Sequence, residues 1–439
     1  LKVGGVNEIS SRFWTAAFAL LGCIATYVTG KSLFGRRTGL YSALILGTSI
    51  LYFALSQIVI MDMAVSVLIS SALFIFMSAV KEPPGKKRFW LCHTFFVLLA
   101  LAALTKGLIG ILIPCAIIFL WALVLNKWKS LCPFYPLTTI PLLLAIIVPW
   151  HILAWKANPE FAWFYFVNEH FLRYLTPGHD RIQPFWYFFV ILPIGLIPWA
   201  GFLPQSLRYN FFGGWEHVKE KPEVVFLTIW ILFVLVFFSA SSSKLIPYIL
   251  PVYPALALLI GNALAGGTNG PKGINPKAGV FTFAAFSILI AVAFPLIVID
   301  RGEKVGEGGL GWAIAASFIL ATGGITGLIA AVKSKKQSIL IVPFATMFTF
   351  YLFFNPLAQR LKNDSTKELV IHLKKISVDP WSVYSLLGYH QDIAPYLGSK
   401  VKLAACEPEE PLFGKAIESN AADWLTAAEF IFIWHKPLP

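Results

Sequence analysis

MDMAVSVLISSALFIFMSAVKEPPGKKRFWLCHTFFVLLALAALTKGLIG, residues 61–110, decides the fold. It holds two long apolar runs joined by the basic, Pro/Gly-containing stretch from Lys81 to Arg88 and closed by a tight T-K-G turn at Lys106. A bilayer core needs about 20 apolar residues per helical crossing, and each run supplies that length. The stretch therefore predicts a helical hairpin in lipid, with its basic loop on one side and Asp62 and Lys106 together on the other.

The same pattern continues in both directions. Apolar stretches of spanning length are centred near residues 21, 47, 69, 97, 117, 146, 194, 232, 255, 288, 321 and 348. The whole chain of 439 residues is 57% hydrophobic and 13% charged, which leaves too little polar surface for a soluble protein of this size. The expected fold is thus an all-α polytopic membrane domain of about twelve spans over residues 1–357. No internal repeat or low-complexity segment is visible.

The formal charge of +13 raises nucleic acid as a partner. The basic residues sit instead in small clusters between apolar runs, so no nucleic acid is expected and membrane lipids are the surroundings. When loops are alternated from the first span, one set carries 17 Lys and Arg, among them Lys31, Arg36, Arg37, Lys81, Lys86, Lys87, Arg88, Lys127 and Lys129. The other set, before the C-terminal tail, carries nine, including Lys106, Arg173, Arg181 and Lys244. The positive-inside rule puts the first set in the cytoplasm and the second outside.

From residue 358 the composition turns polar. The segments 368–376, 383–390, 401–406 and 430–434 read as alternating short helices and strands. They predict a small extracytoplasmic α/β domain over 358–439. The chain opens with Leu1, without a charged n-region and cleavage site, which reads as a fragment lacking its N-terminus. Cys23, Cys92, Cys115, Cys132 and Cys406 form no C-x-x-C pair, so neither a disulfide nor a cysteine metal site is expected.

Ionisable residues in a membrane mark sites by default. Asp62 is the acidic residue set well inside an apolar run; it reads either as a carboxylate favoured by a helix N-terminus or as one facing an outward cavity. Lys106 reads either as a snorkelling cation or as a partner of that cavity. Within the outer loop 157–183, aromatic residues alternate with Asn168, Glu169, His170 and Arg173, as in a helix lying in the interface plane. Glu169 and Arg173 suit a surface pair, and His170 suits either a structural role or a metal ligand. Further on, SSSKLIPYILPVYP (241–254) places Lys244 and Tyr248 one turn apart at another outer helix start. Lys106, Arg173, Arg181 and Lys244 would share the depth of lipid head groups, an arrangement suited to a membrane-borne phosphate. No nucleotide-binding glycine motif is present.

FGRRTGLYSALILGTS (34–49), MDM (61–63), LTKGLIGILIP (104–114), PWH (149–151), FYFVNEHFLRYLTPGHDRIQPFWYF (164–188) and SKLIPYILPVYPALALLIG (243–261) also carry a resemblance. From residue 5 to about 265, the ordered set resembles the bacterial GT-C glycosyltransferases of the aminoarabinose transferase and protein mannosyltransferase group. The resemblance implies thirteen spans in the full-length protein and a periplasmic C-terminal domain. It also implies transfer of a sugar from a polyprenyl (undecaprenyl) phosphate carrier to a lipid A-like, glycan or protein acceptor, on the outer face of the bacterial inner membrane.

Residue by residue, it implies a catalytic role for Asp62 and carrier-phosphate binding by Lys106, Arg173, Lys244 and Tyr248. It makes His170 a candidate ligand for a divalent metal, the one cofactor it suggests. The family's first outer loop, with its acidic pair, would precede residue 1. Two rivals stand beside this reading. A twelve-helix secondary transporter would show related halves and midplane polar residues, which are not evident here. A lipid-linked oligosaccharide ligase or polymerase shares the donor and differs in product mass.

Overall fold

The structure, a computed structural model, describes residues 8–157, 183–266, 276–300, 309–333 and 336–361 as continuous stretches. It also describes residues 159, 161–163, 165–167 and 172–175 of the loop between them, and short segments at 367–375, 384–386, 393–397 and 402–404. The principal helices are α1 (Glu8–Phe34), α2 (Arg36–Thr48), α3 (Ile50–Ser56), α4 (Met61–Lys81), α5 (Lys86–Lys106), α6 (Ile109–Leu125) and α7 (Pro136–Ala157). They continue as α8 (Tyr187–Gly195), α9 (Leu203–Asn210), α10 (Pro222–Ala240), α11 (Val252–Ala265), α12 (Pro276–Asp300), α13 (Gly309–Val332) and α14 (Lys336–Leu361).

Among the described residues, seven helices are long and apolar enough to cross a membrane, and two bent pairs raise the number to nine. Three shorter apolar helices, Ile109–Leu125, Val252–Ala265 and Ile341–Phe354, fall at the three remaining expected centres. Each centre read from the sequence thus carries an apolar helix, though two of the spans are broken rather than straight.

The breaks have a physical logic. The α2–α3 pair bends by 64° at Ser49, and the pair formed by α8 and residues 200–210 bends by 105°. In lipid an opened turn must find other partners for its backbone polar groups. Here the two breaks supply each other: the Ile50 amide donates to Ile197 O at 3.0 Å, and Trp199 Nε1 donates to Thr48 Oγ1 at 2.9 Å. From α14, Tyr351 donates its hydroxyl to Thr48 O at 2.8 Å and stacks on Phe53 with ring centroids 3.7 Å apart.

Between α4, α5, α6 and α10 lies an aromatic core of Phe74, Phe76, Phe95, Trp121, Phe226 and Trp230. Phe76 meets Trp121 edge-on at 5.6 Å and Phe226 at 5.5 Å, the offset geometries that aromatic quadrupoles favour. At the basic end of the bundle Lys81 pairs with Glu223 at 2.6 Å. There Arg88, only 4% exposed, donates to the carbonyls of Glu82, Ser130 and Pro133. These contacts tie the expected cytoplasmic loops to one another.

The turn from α5 into α6, just after Lys106, rests on glycine. Gly107 adopts φ +85°, a left-handed conformation that side chains disfavour. A Cβ on Gly110 would lie 2.5 Å from the carbonyl carbon of Ala102, so α6 crosses α5 at a distance only glycine permits.

Beyond α14 come α15 (Lys367–Lys375), β1 (Tyr384–Leu386), α16 (Ile393–Leu397) and β2 (Lys402–Ala404). The two strands pair in parallel with Ser385 opposite Leu403, and α15 packs on α16 through Val370, Ile393 and Leu397. The expected strand at 430–434 lies outside the described residues.

Candidate functional site at one end of the helix bundle

Opposite the basic loops, the tips of α4 and α5 meet in one ion pair. Asp62, in the first turn of α4, accepts from the Nζ of Lys106, the last residue of α5. Aspartate fits that place because a helix N-terminus favours negative charge. Both side chains are partly covered, at 17% and 26% exposure, so the pair is neither buried in the core nor free in water.

A third group completes the contact. Lys106 Nζ lies 4.7 Å from the centroid of the Tyr248 ring, within the range of a cation–π attraction. Tyr248 belongs to the short helical turn Ile246–Ile249, which prolines break off from α11 and which packs against α4. Phe238, at the end of α10, lies against the same ring at 5.1 Å. Three residues assigned from separate stretches of sequence, Asp62, Lys106 and Tyr248, thus occupy one point.

Lys244, one turn before Tyr248, is 7% exposed. Its ammonium donates to Ser241 O at 2.6 Å and Gln183 O at 2.9 Å, and among the described residues no carboxylate is seen pairing with it. Burial pushes its pKa below the ordinary lysine value. A desolvated cation held by carbonyl dipoles alone attracts an anion strongly.

Arg173 begins the helical turn Arg173–Leu175, and the next residue anchors it. Tyr174 donates its hydroxyl to Phe237 O at 2.8 Å, while the Ser242 amide donates to Tyr174 O at 2.9 Å. Together with Lys244 and Gln183, these bonds fasten the long loop to the α10–α11 connection. Residue 173 is therefore carried to the site's end of the bundle by its neighbour. His170 and Glu169, as well as Arg181, lie outside the described residues.

Beside the Lys106 turn is an apolar cavity of about 280 Å³, lined by residues including Ala103, Leu108, Ile111, His151, Trp155 and Tyr165. His151 has Nδ1 2.9 Å from Ile147 O, and its ring faces those of Tyr165 and Phe166. Neither Tyr174, nor the use of the Gln183 carbonyl, nor this cavity was legible in the sequence. The polar tip of Tyr174 within an aromatic run was the signal available for the first, but a carbonyl used as an acceptor leaves no trace in residue type.

A divalent cation finds no ready cradle among the described residues. No group of three or more His, Cys, Asp or Glu side chains is gathered there, and Asp62 is already neutralised by Lys106.

Fold and site together define a polytopic helical membrane protein whose charged and aromatic groups converge at one end of the bundle. Residues 1–155 match the family described as dolichyl-phosphate-mannose-protein mannosyltransferase. The chain is 29% identical over 306 residues to the undecaprenyl phosphate-alpha-4-amino-4-deoxy-L-arabinose arabinosyl transferase of Erwinia tasmaniensis, covering 68% of this chain and 53% of that protein. It is 26% identical over 299 residues to the protein of the same name from Yersinia pestis strain Pestoides F, covering 68% and 52%. The chain thus spans about half the length of the curated relatives it matches.

The fold matches ArnT of Cupriavidus metallidurans in a crystal structure bound to undecaprenyl phosphate. The TM-score is 0.79 at 22% identity, covering 97% of this chain and 78% of that one. The same protein in its apo state gives 0.78 at 22% identity, covering 94% and 75%. The chain is thus similar in part of its sequence to arabinosyl transferases of that name and shares the fold of ArnT.

Proposed function

We propose that the protein transfers a sugar from a polyprenyl phosphate, undecaprenyl phosphate in bacteria, to an acceptor at the outer face of the inner membrane. The observation that carries the reading is the placing of two lysines beside one short turn, Lys106 by contact with the Tyr248 ring and Lys244 by lying one turn before it in the chain. Lys106 stands over its ring, and Lys244 is buried one turn away with only carbonyls for partners among the described residues. Such a pair suits a phosphate monoester or diester held at head-group depth. The relatives' names supply the same donor class, and the acceptor is a lipid A-like glycolipid, a glycan or a protein. The excess of basic residues at the other end of the bundle supports an outward-facing site. By the same topology the polar region 358–439, with its paired strands, is a small extracytoplasmic α/β domain; the family resemblance gives the full-length protein thirteen spans.

The chemistry follows from charge. Breaking the sugar–phosphate bond leaves positive charge on the anomeric carbon and negative charge on the departing phosphate. Fixed cations lower the energy of that departure because they are oriented before it begins. Lys106 and Lys244 take this role, joined by Arg173 on the strength of the family resemblance. Asp62 serves the sugar side, orienting a hydroxyl or stabilising the anomeric centre. If the acceptor nucleophile is itself a phosphate oxygen, no strong base is required.

The test uses the full-length protein in lipid vesicles with an undecaprenyl phosphate-linked aminosugar and lipid A, read by the mass of the product. The expected result is one added sugar per acceptor, with Lys106→Ala and Arg173→Ala each lowering the transfer rate by at least about tenfold, the loss typical of one removed charge-stabilising donor. Wild-type rates in both variants, or no mass gain with any such donor, would reject the reading.

A further inference from the structure

We propose that the Asp62–Lys106 ion pair is a latch opened by the carrier's phosphate: Lys106 leaves the carboxylate for the phosphate, and Asp62 is thereby delivered to the sugar. This deepens the function proposed above and rests on it.

Lys106 is the last residue of α5, followed by Gly107 in a left-handed turn, so its side chain projects from a helix tip rather than from a packed face. It is 26% exposed and Asp62 17%, so an incoming anion can reach the ammonium without opening the core. The Tyr248 ring, 4.7 Å from Nζ, attracts the cation whichever anion it serves and so acts as a pivot. The donor's phosphodiester presents two free oxygens and one negative charge, matching the carboxylate it displaces, and the monoester left after transfer carries a third oxygen and more charge.

With the site empty, the pair leaves no uncompensated charge at the tips of α4 and α5. Once the phosphate is seated, the Asp62 carboxylate at its helix N-terminus can accept a hydrogen bond from a sugar hydroxyl. The carboxylate is thus withheld until the donor arrives, and by reciprocity its competition weakens donor binding.

The sign of one substitution separates this from a purely structural ion pair. Affinity for undecaprenyl phosphate is measured by native mass spectrometry or thermophoresis on the full-length protein in nanodiscs. Asp62→Asn removes the competitor and should tighten binding about two- to fivefold, the range set by a partly exposed pair worth up to about 1 kcal/mol. In a Lys106→Gln background, with no ammonium to contest, the gain should vanish. Unchanged or weaker binding by Asp62→Asn overturns the latch, as does a gain that persists beside Lys106→Gln.

A second measurement needs no variant. Carbodiimide labelling of Asp62 in the wild-type protein should rise when undecaprenyl phosphate is added, and an unchanged or lower yield overturns the proposal. Absence of saturable binding by the wild type would instead remove the functional reading on which the latch rests.

Discussion

Asp62 and Lys106, 44 residues apart in the chain, form an ion pair between the first turn of α4 and the last turn of α5, beneath the ring of Tyr248. Reversing it as Asp62→Lys with Lys106→Asp keeps the attraction but exchanges the ends. The single substitutions should each lower the thermal midpoint, the pair contributing up to about 1 kcal/mol at this exposure, and the double variant should recover most of that loss. Transfer should not recover, because the cation then stands on α4 and the carboxylate at the α5 tip. Full activity in the double variant would mean that the pair is only a brace.

Lys244 separates binding from stability. Replacing it by methionine removes a buried charge while keeping much of the volume, so the thermal midpoint should stay level or rise. Affinity for undecaprenyl phosphate should fall at least about tenfold, as for a charge-assisted contact worth more than 1.4 kcal/mol. A lower midpoint with unchanged affinity would make Lys244 a structural clamp on Gln183 and nothing more.

The same residue predicts a pH dependence. Its ammonium gives up its proton below the ordinary value of 10.5, because burial disfavours the charge. Phosphate affinity should therefore weaken as pH rises toward that value in the wild type, and less so in Lys244→Met. Stability should move the opposite way in that window. The unfolded chain still holds the proton there and the folded chain has released it, so this group adds stability as pH rises. Titrating binding and thermal midpoint together checks both slopes.

Gly110 tests the hairpin. Its Cβ would stand 2.5 Å from the Ala102 carbonyl carbon and 2.6 Å from the Ala103 nitrogen, both main-chain atoms that cannot turn aside. Gly110→Ala should cost about 1–3 kcal/mol through overpacking and displace the Lys106 turn. A thermal-shift measurement and a transfer assay should both register it, whereas Gly311→Ala, where a Cβ meets nothing within 4 Å, should be silent in both.

Much of the bundle was legible in residue type alone. Runs such as 61–81 and 86–106 exceed what any soluble helix needs, and the loops between them carry an uneven load of lysine and arginine. What the pattern did not disclose is how spans 36–56 and 187–210 bend. A break is stable only where another segment supplies hydrogen bonds, and Ile197, Trp199 and Tyr351 are remote in sequence from Thr48 and Ile50. The site divides in the same way. Asp62, Lys106 and Lys244 could be named because charge is scarce in a membrane, and Tyr248 because it follows Lys244 by one turn. The part played by the Gln183 carbonyl, and the tether from Tyr174 to Phe237, could not.

By itself, then, the sequence determined that this chain lives in lipid, where its helices turn, and that its Asp62 end differs in charge from its Arg88 end. Those properties depend on local composition, which hydrophobic transfer and helix geometry read directly. Only the tertiary structure decided that Asp62 is answered by Lys106 under Tyr248, and that Lys244 is buried among carbonyls. Pairing and burial are properties of atoms brought together across long stretches of chain, and no local pattern encodes the distance between them.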